Sequence, residues 1–63
     1  MLRLEKFFRE LEHIDELVQD MEELGMTYDE GHMDIDTFGR NIEKNVDRTI
    51  RILEEIRDFS QGV

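Results

Sequence analysis

The sequence predicts an all-α chain: a two-helix antiparallel hairpin that dimerises into an antiparallel four-helix bundle. Three observations lead there. Leu4, Phe7, Leu11, Ile14, Val18 and Met21 recur at alternating steps of three and four, the spacing of one apolar helical stripe. After a break centred on glycine, Ile35, Phe38, Ile42, Asn45, Thr49, Ile52, Ile56 and Phe59 repeat the rhythm. The chain also has only 63 residues, with no Cys for disulfides and two His, too few for the usual structural zinc site. A lone hairpin has one seam to bury, and chains this short need further support. The simplest support is a second copy.

Helix 1 is expected over about 2–24. Gly25 stands where a left-handed C-terminal residue belongs, with Met26 placed for the accompanying apolar contact. With Leu4 at heptad position a, Leu17 and Leu24 fall at g and widen the stripe, while Glu5, Glu12, Glu16, Asp20 and Glu23 face outward.

The bend is expected over about 25–34 and helix 2 over about 35–59. An earlier start is conceivable, because Thr27-Tyr28-Asp29-Glu30 has capping-box form and Tyr28 is in frame with Ile35. Against it, Gly31, Asp34, Ile35, Asp36, Thr37 and Gly39 are mediocre or poor helix formers. Equal arms favour a start near Asp34 or Asp36, with either aspartate as N-cap. A short strand through 33–36 is the less favoured alternative. No repeat, low-complexity tract or linker divides the chain, so 1–63 reads as one domain.

The expected dimer core is Leu4, Phe7, Leu11, Ile14, Val18 and Met21 of helix 1, with Phe38, Ile42, Asn45, Val46, Thr49, Ile52, Leu53, Ile56 and Phe59 of helix 2. Val46, Ile50 and Leu53 form a second stripe beside the first, suited to the dimer seam because a bundle helix touches two neighbours. Ile50 is also a candidate for partner binding. Asn45 at d and Thr49 at a put polar groups in the seam, where one buried Asn fixes alignment at some cost in stability.

Charged residues make up 40% of the chain and the net charge is -9, but 38% are hydrophobic and periodic, which excludes disorder. The absence of Pro suits long helices. From Glu10 to Asp36 lie eleven carboxylates without one Lys or Arg, while Arg3, Lys6 and Arg9 crowd the other end of helix 1. From Arg40 onward five bases balance five acids. A parallel pair of hairpins would bring two acidic bends together; an antiparallel pair sets each bend near its partner's basic end. Accumulated repulsion favours the antiparallel order, although each exposed pair is worth only ~0–1 kcal/mol.

Chemical motifs are weak. Glu10-Leu11-Glu12-His13 has the Glu-x-x-His spacing of di-iron bundles, but its positions g and c turn His13 outward and helix 2 offers no inward carboxylate. Asp34-x-Asp36-x-Phe38-Gly39 imitates the opening of a calcium loop, yet Phe38 replaces an oxygen donor and Asn45 stands where a bidentate Glu is needed. Asp29, Glu30, His32, Asp34 and Asp36 read as a solvated acidic turn. There is no nucleophile-base arrangement and no phosphate loop, so the expectation is a non-enzyme without metal or cofactor.

Two charged surfaces remain. Arg40, Lys44, Arg48 and Arg51 form a ladder that could meet phosphates, although Glu43, Asp47 and Glu54 interleave with it and pairs such as Asp47–Arg51 and Arg51–Glu55 suit a solvated face. Glu12, Glu16, Asp20 and Glu23 form an acidic line that would steer toward a basic partner, or imitate nucleic acid. Met1–Phe8 could touch a membrane as an amphipathic turn, but the acids that follow would be repelled by anionic lipid. No apolar stretch reaches the ~20 residues of a membrane span, no signal-peptide core opens the chain, and the lack of Cys fits a reducing compartment.

The expectation is a small acidic cytoplasmic homodimer that binds a larger protein as adaptor or inhibitor. An RNA-binding regulator using the basic ladder is one alternative; a nucleic-acid-mimicking inhibitor of a DNA- or RNA-binding protein is the other.

Overall fold

The computed structural model describes residues 3–61: helix α1 (Arg3–Asp29), helix α2 (Ile35–Gln61), each of 27 residues, and the link 30–34. The helices pack antiparallel as a hairpin, and there is no strand among the described residues. The expected contribution of Leu2 to helix 1, and any contact of Met1, lie outside the described residues.

The expected stop at Leu24–Gly25 is wrong by five residues. A helix-interior glycine costs about 0.5–1 kcal/mol relative to Ala, which weakens a helix without ending it. The apolar rhythm continues past it, through Leu24 to Tyr28, whose ring stacks on Phe38 with centroids 4.7 Å apart. Thr27 is no cap either; its hydroxyl donates back to the Glu23 carbonyl at 2.9 Å, as an interior threonine does. The left-handed residue is Gly31, with φ 81°. Its N–H donates to the Tyr28 carbonyl at 3.0 Å, and the His32 N–H donates to the Thr27 carbonyl at 3.1 Å. Those two bonds are a Schellman closure, which satisfies carbonyls that the helix end would leave bare.

Helix α2 begins at once. Asp34 is the N-cap: the Thr37 N–H donates to its Oδ2 at 3.4 Å and the Thr37 hydroxyl to its Oδ1 at 2.5 Å. The Phe38 N–H donates to the Asp34 carbonyl at 3.0 Å. Residues 34–39 therefore form a cap and first turn, not a strand and not the opening of a calcium loop. At the far end α2 runs two residues past Phe59.

The Thr37 hydroxyl holds the Asp34 carboxyl below the ordinary aspartate value of 3.8. A depressed carboxyl stabilises the fold above that value and loses its contribution as pH falls through the lowered pKa. The melting-temperature advantage of the wild type over Asp34→Asn should therefore be constant above about pH 5 and shrink as pH falls toward 2, read by circular dichroism at fixed concentration.

The hairpin seam buries Leu17 (3% exposed), Ile52 (5%) and Asn45 (7%). In α2 the seam follows positions a and d, where Phe38, Ile42, Thr49, Ile56 and Phe59 are half-buried. In α1 it follows d and g instead: Phe7, Ile14 and Met21 are half-buried beside Leu17, Leu24 and Glu10. The a residues of the expected stripe, Leu4, Leu11 and Val18, lie uncovered, Leu4 at 61% exposure.

The result is thin. The hairpin measures 46 × 15 × 12 Å and its radius of gyration is 14.7 Å, against about 10.6 Å for a compact 63-residue chain. Its accessible surface is 5119 Å², where a compact protein of 7.6 kDa exposes about 4,300 Å².

Candidate interaction faces

A flat hairpin has two broad faces, and the heptad positions beside the seam decide what each displays. On one side stand a of α1 and e of α2. Their columns read Leu4, Leu11, Val18, Gly25 and Gly39, Val46, Leu53. All five apolar side chains are exposed, Leu53 at 51%, and Phe8 (57%) and Ile50 edge the same face. None of the described residues covers it.

The opposite face is polar and carries shallow, open grooves. One of about 440 Å³ is lined by Asp20, Glu23, Leu24 and Thr27 of α1 and by Asn41, Lys44, Asn45 and Arg48 of α2. A second of about 390 Å³ is lined by His13, Arg48, Arg51, Ile52 and Glu55. Both are lined mainly by positions c and g, with Asn45 and Ile52 of the seam at their floors, so they share one side.

This arrangement brings together what the sequence kept apart. Asp20 and Glu23 of the acidic line share a groove with Lys44 and Arg48 of the basic ladder. Glu12 and Glu16 are exposed on α1 away from the seam, and Arg40 is exposed on the outer side of α2. Neither candidate surface is of one sign. A phosphate chain laid on Lys44, Arg48 and Arg51 would meet carboxylates on the facing helix, which subtracts from the charge neutralisation that drives such binding.

At the floor of the first groove Asn45 is buried, and its Oδ1 has no hydrogen-bond partner. The other polar groups near the seam are locally satisfied. The Thr49 hydroxyl donates to the Asn45 carbonyl and the Asn41 amide to the Thr37 carbonyl, each at 2.9 Å. Asn45 thus occupies the middle of the hairpin's own seam, facing α1.

Among the described residues no three of His, Asp and Glu come together as a metal site. Asp29, Glu30, His32, Asp34 and Asp36 are spread over the helix end, link and cap rather than gathered. No helix among the described residues is long and apolar enough to cross a membrane.

Compared with protein families, curated proteins and solved structures, the chain matches none.

The functional reading therefore rests on the two faces alone. The expected core list omits Leu17 and Leu24, which the hairpin seam uses. Their signal was present: Glu10, Ile14, Leu17, Met21, Leu24 and Tyr28 also alternate by three and four. Two overlapping stripes in one helix suit two neighbours, and the hairpin supplies the one that covers Leu17 and Leu24.

Proposed function

We propose that this protein is a small acidic protein–protein interaction module, without catalytic activity, that acts as an adaptor or inhibitor. It works as a homodimer in which two apolar faces close into an antiparallel four-helix bundle. The observation that carries this reading is the uncovered column of Leu4, Leu11 and Val18 beside Val46, Ile50 and Leu53. Contiguous apolar surface on this scale marks an association site. The hairpin exposes about 800 Å² more than a compact protein of its mass, surface that its thin shape leaves uncovered.

Pairing leaves the polar faces and the acidic bends outward. Eleven carboxylates from Glu10 to Asp36 steer the assembly toward a basic surface on a larger protein. The lack of Cys is consistent with a cytoplasmic setting.

Sedimentation velocity at micromolar concentration tests the assembly, and the expected species has twice the 7.6 kDa mass of the chain. Capture from the native host then tests the partner class. Wild type should retain a protein that a Glu12→Lys, Glu16→Lys, Asp20→Lys variant releases, while Arg40→Glu, Lys44→Glu, Arg48→Glu leaves it bound. A cooperatively melting monomer overturns the assembly. Nucleic acid retained by wild type and lost with the second variant overturns the partner class.

A further inference from the structure

Asn45 is more than nine-tenths buried at the floor of the first groove, and its Oδ1 has no hydrogen-bond partner. A buried acceptor without a donor destabilises the hairpin that holds it, and such a group calls for an explanation. The polar groups beside it are committed elsewhere. The Thr27 hydroxyl donates to the Glu23 carbonyl and the Asn41 amide to the Thr37 carbonyl, each at 2.9 Å. The walls of the groove narrow the kind of donor. Asp20 and Glu23 on α1 stand across from Lys44 and Arg48 on α2, so the charges balance and an ion of either sign meets its like. A neutral group that carries a donor beside an acceptor does not. Length narrows it further. The two grooves adjoin at Arg48, which lines both, and run from the level of Thr27 to that of His13, about 21 Å along α1. They are shallow and open, whereas a small-molecule site encloses most of its ligand. About six residues of extended chain, at ~3.3 Å each, match that span.

We propose that this polar groove binds an extended peptide segment of the partner protein, with a main-chain N–H donating to Asn45 Oδ1. The inference rests on the protein-binding function proposed above and names the part of the partner that is held. A main-chain amide supplies the missing donor and carries an acceptor beside it, with no net charge. The last torsion of an asparagine side chain is broad, so the Asn45 amide turns from the seam toward the groove at little cost. The apolar face lies on the opposite side of the hairpin, so a second copy there leaves the groove open.

The test is a titration of the isotope-labelled full chain, followed by NMR, with a capped hexapeptide of Lys, Ala and Glu. The side-chain amide resonances of Asn45 should move on the wild type itself. Asn45→Leu, checked for helicity by circular dichroism, should bind at least tenfold more weakly, the loss expected for one hydrogen bond to a buried group. The same peptide with methylated backbone nitrogens keeps its side chains and loses its donors, and it should not bind. N-methylacetamide, a single amide, should bind far more weakly than the hexapeptide. A wild type whose Asn45 amide stays unmoved overturns the groove, and so does a methylated peptide or a folded Asn45→Leu that keeps full affinity. N-methylacetamide binding as tightly as the peptide overturns the extended segment. In the capture experiment, a protein retained equally by wild type and Asn45→Leu overturns the groove and leaves the adaptor reading standing. No protein retained, while the peptide still moves Asn45, overturns the adaptor reading alone.

Discussion

Leu53→Asp should turn the protein into a monomer that loses most of its helical signal at micromolar concentration. In the single hairpin Leu53 is half in water, so a polar replacement there would by itself change stability by no more than about 0.5 kcal/mol. In the proposed dimer the same side chain lies within the covered face. A carboxylate buried there without a partner costs several kcal/mol, and two-fold symmetry makes each dimer carry the cost twice. Association should weaken at least 100-fold, a loss of about 2.7 kcal/mol or more. Helicity follows association, because among the described residues the hairpin alone buries only Leu17 and Ile52 of its apolar side chains, and so small a core does not offset the conformational entropy of a 63-residue chain. Asp47→Asn, on the outer side of α2, is the control and should change neither quantity. The reading is wrong if Leu53→Asp remains as helical and as cooperative as wild type at the same concentration.

Much of this architecture is legible in the chain, and the misses share a cause. The helix types follow from spacing, and an aspartate N-cap at Asp34 or Asp36 follows from short polar side chains placed before a periodic run, the bonds from Thr37 choosing Asp34. The end of α1 was misread because Gly25 and Gly31 look equivalent to a rule about glycine and helix termini. What separates them is tertiary: Leu24 and Tyr28 still have α2 to pack against, so the helix continues until the chain must turn. The seam of α1 was misread for a related reason. A stripe of apolar residues shows how many neighbours a helix has, and only the hairpin shows which part of the stripe faces which neighbour. Leu17 therefore went from an accessory position to the most buried side chain in the core, while Leu4 and Leu11 came to lie on the open face. The mixed groove was beyond sequence reasoning, since the acidic line and the basic ladder each look uniform until folding sets Asp20 beside Lys44 and Arg48.

Asn45→Leu should stabilise the protein by about 1–3 kcal/mol, raising the urea midpoint at fixed protein concentration. The amide oxygen of Asn45 is buried without a partner, and that desolvation is returned when an apolar side chain of similar volume takes its place. Thr49 is the internal contrast. Its hydroxyl already donates to the Asn45 carbonyl, so Thr49→Val removes a satisfied group and should change the midpoint much less. A stabilising loss raises the question of what the asparagine does. Along the seam of α2 Phe38, Ile42, Ile52, Ile56 and Phe59 are apolar and the Thr49 hydroxyl bonds its own helix, and a seam of that kind tolerates sliding by a heptad. The Asn45 amide at mid-seam opposes such slips, because a shifted register carries it away from the polar groove that it lines. The variant should therefore be more stable and less uniform, with additional species in sedimentation and broadened amide resonances. If Asn45→Leu instead lowers the midpoint, the Oδ1 has found a donor in the assembled protein, and Asn45 is a bonding residue and not a register device.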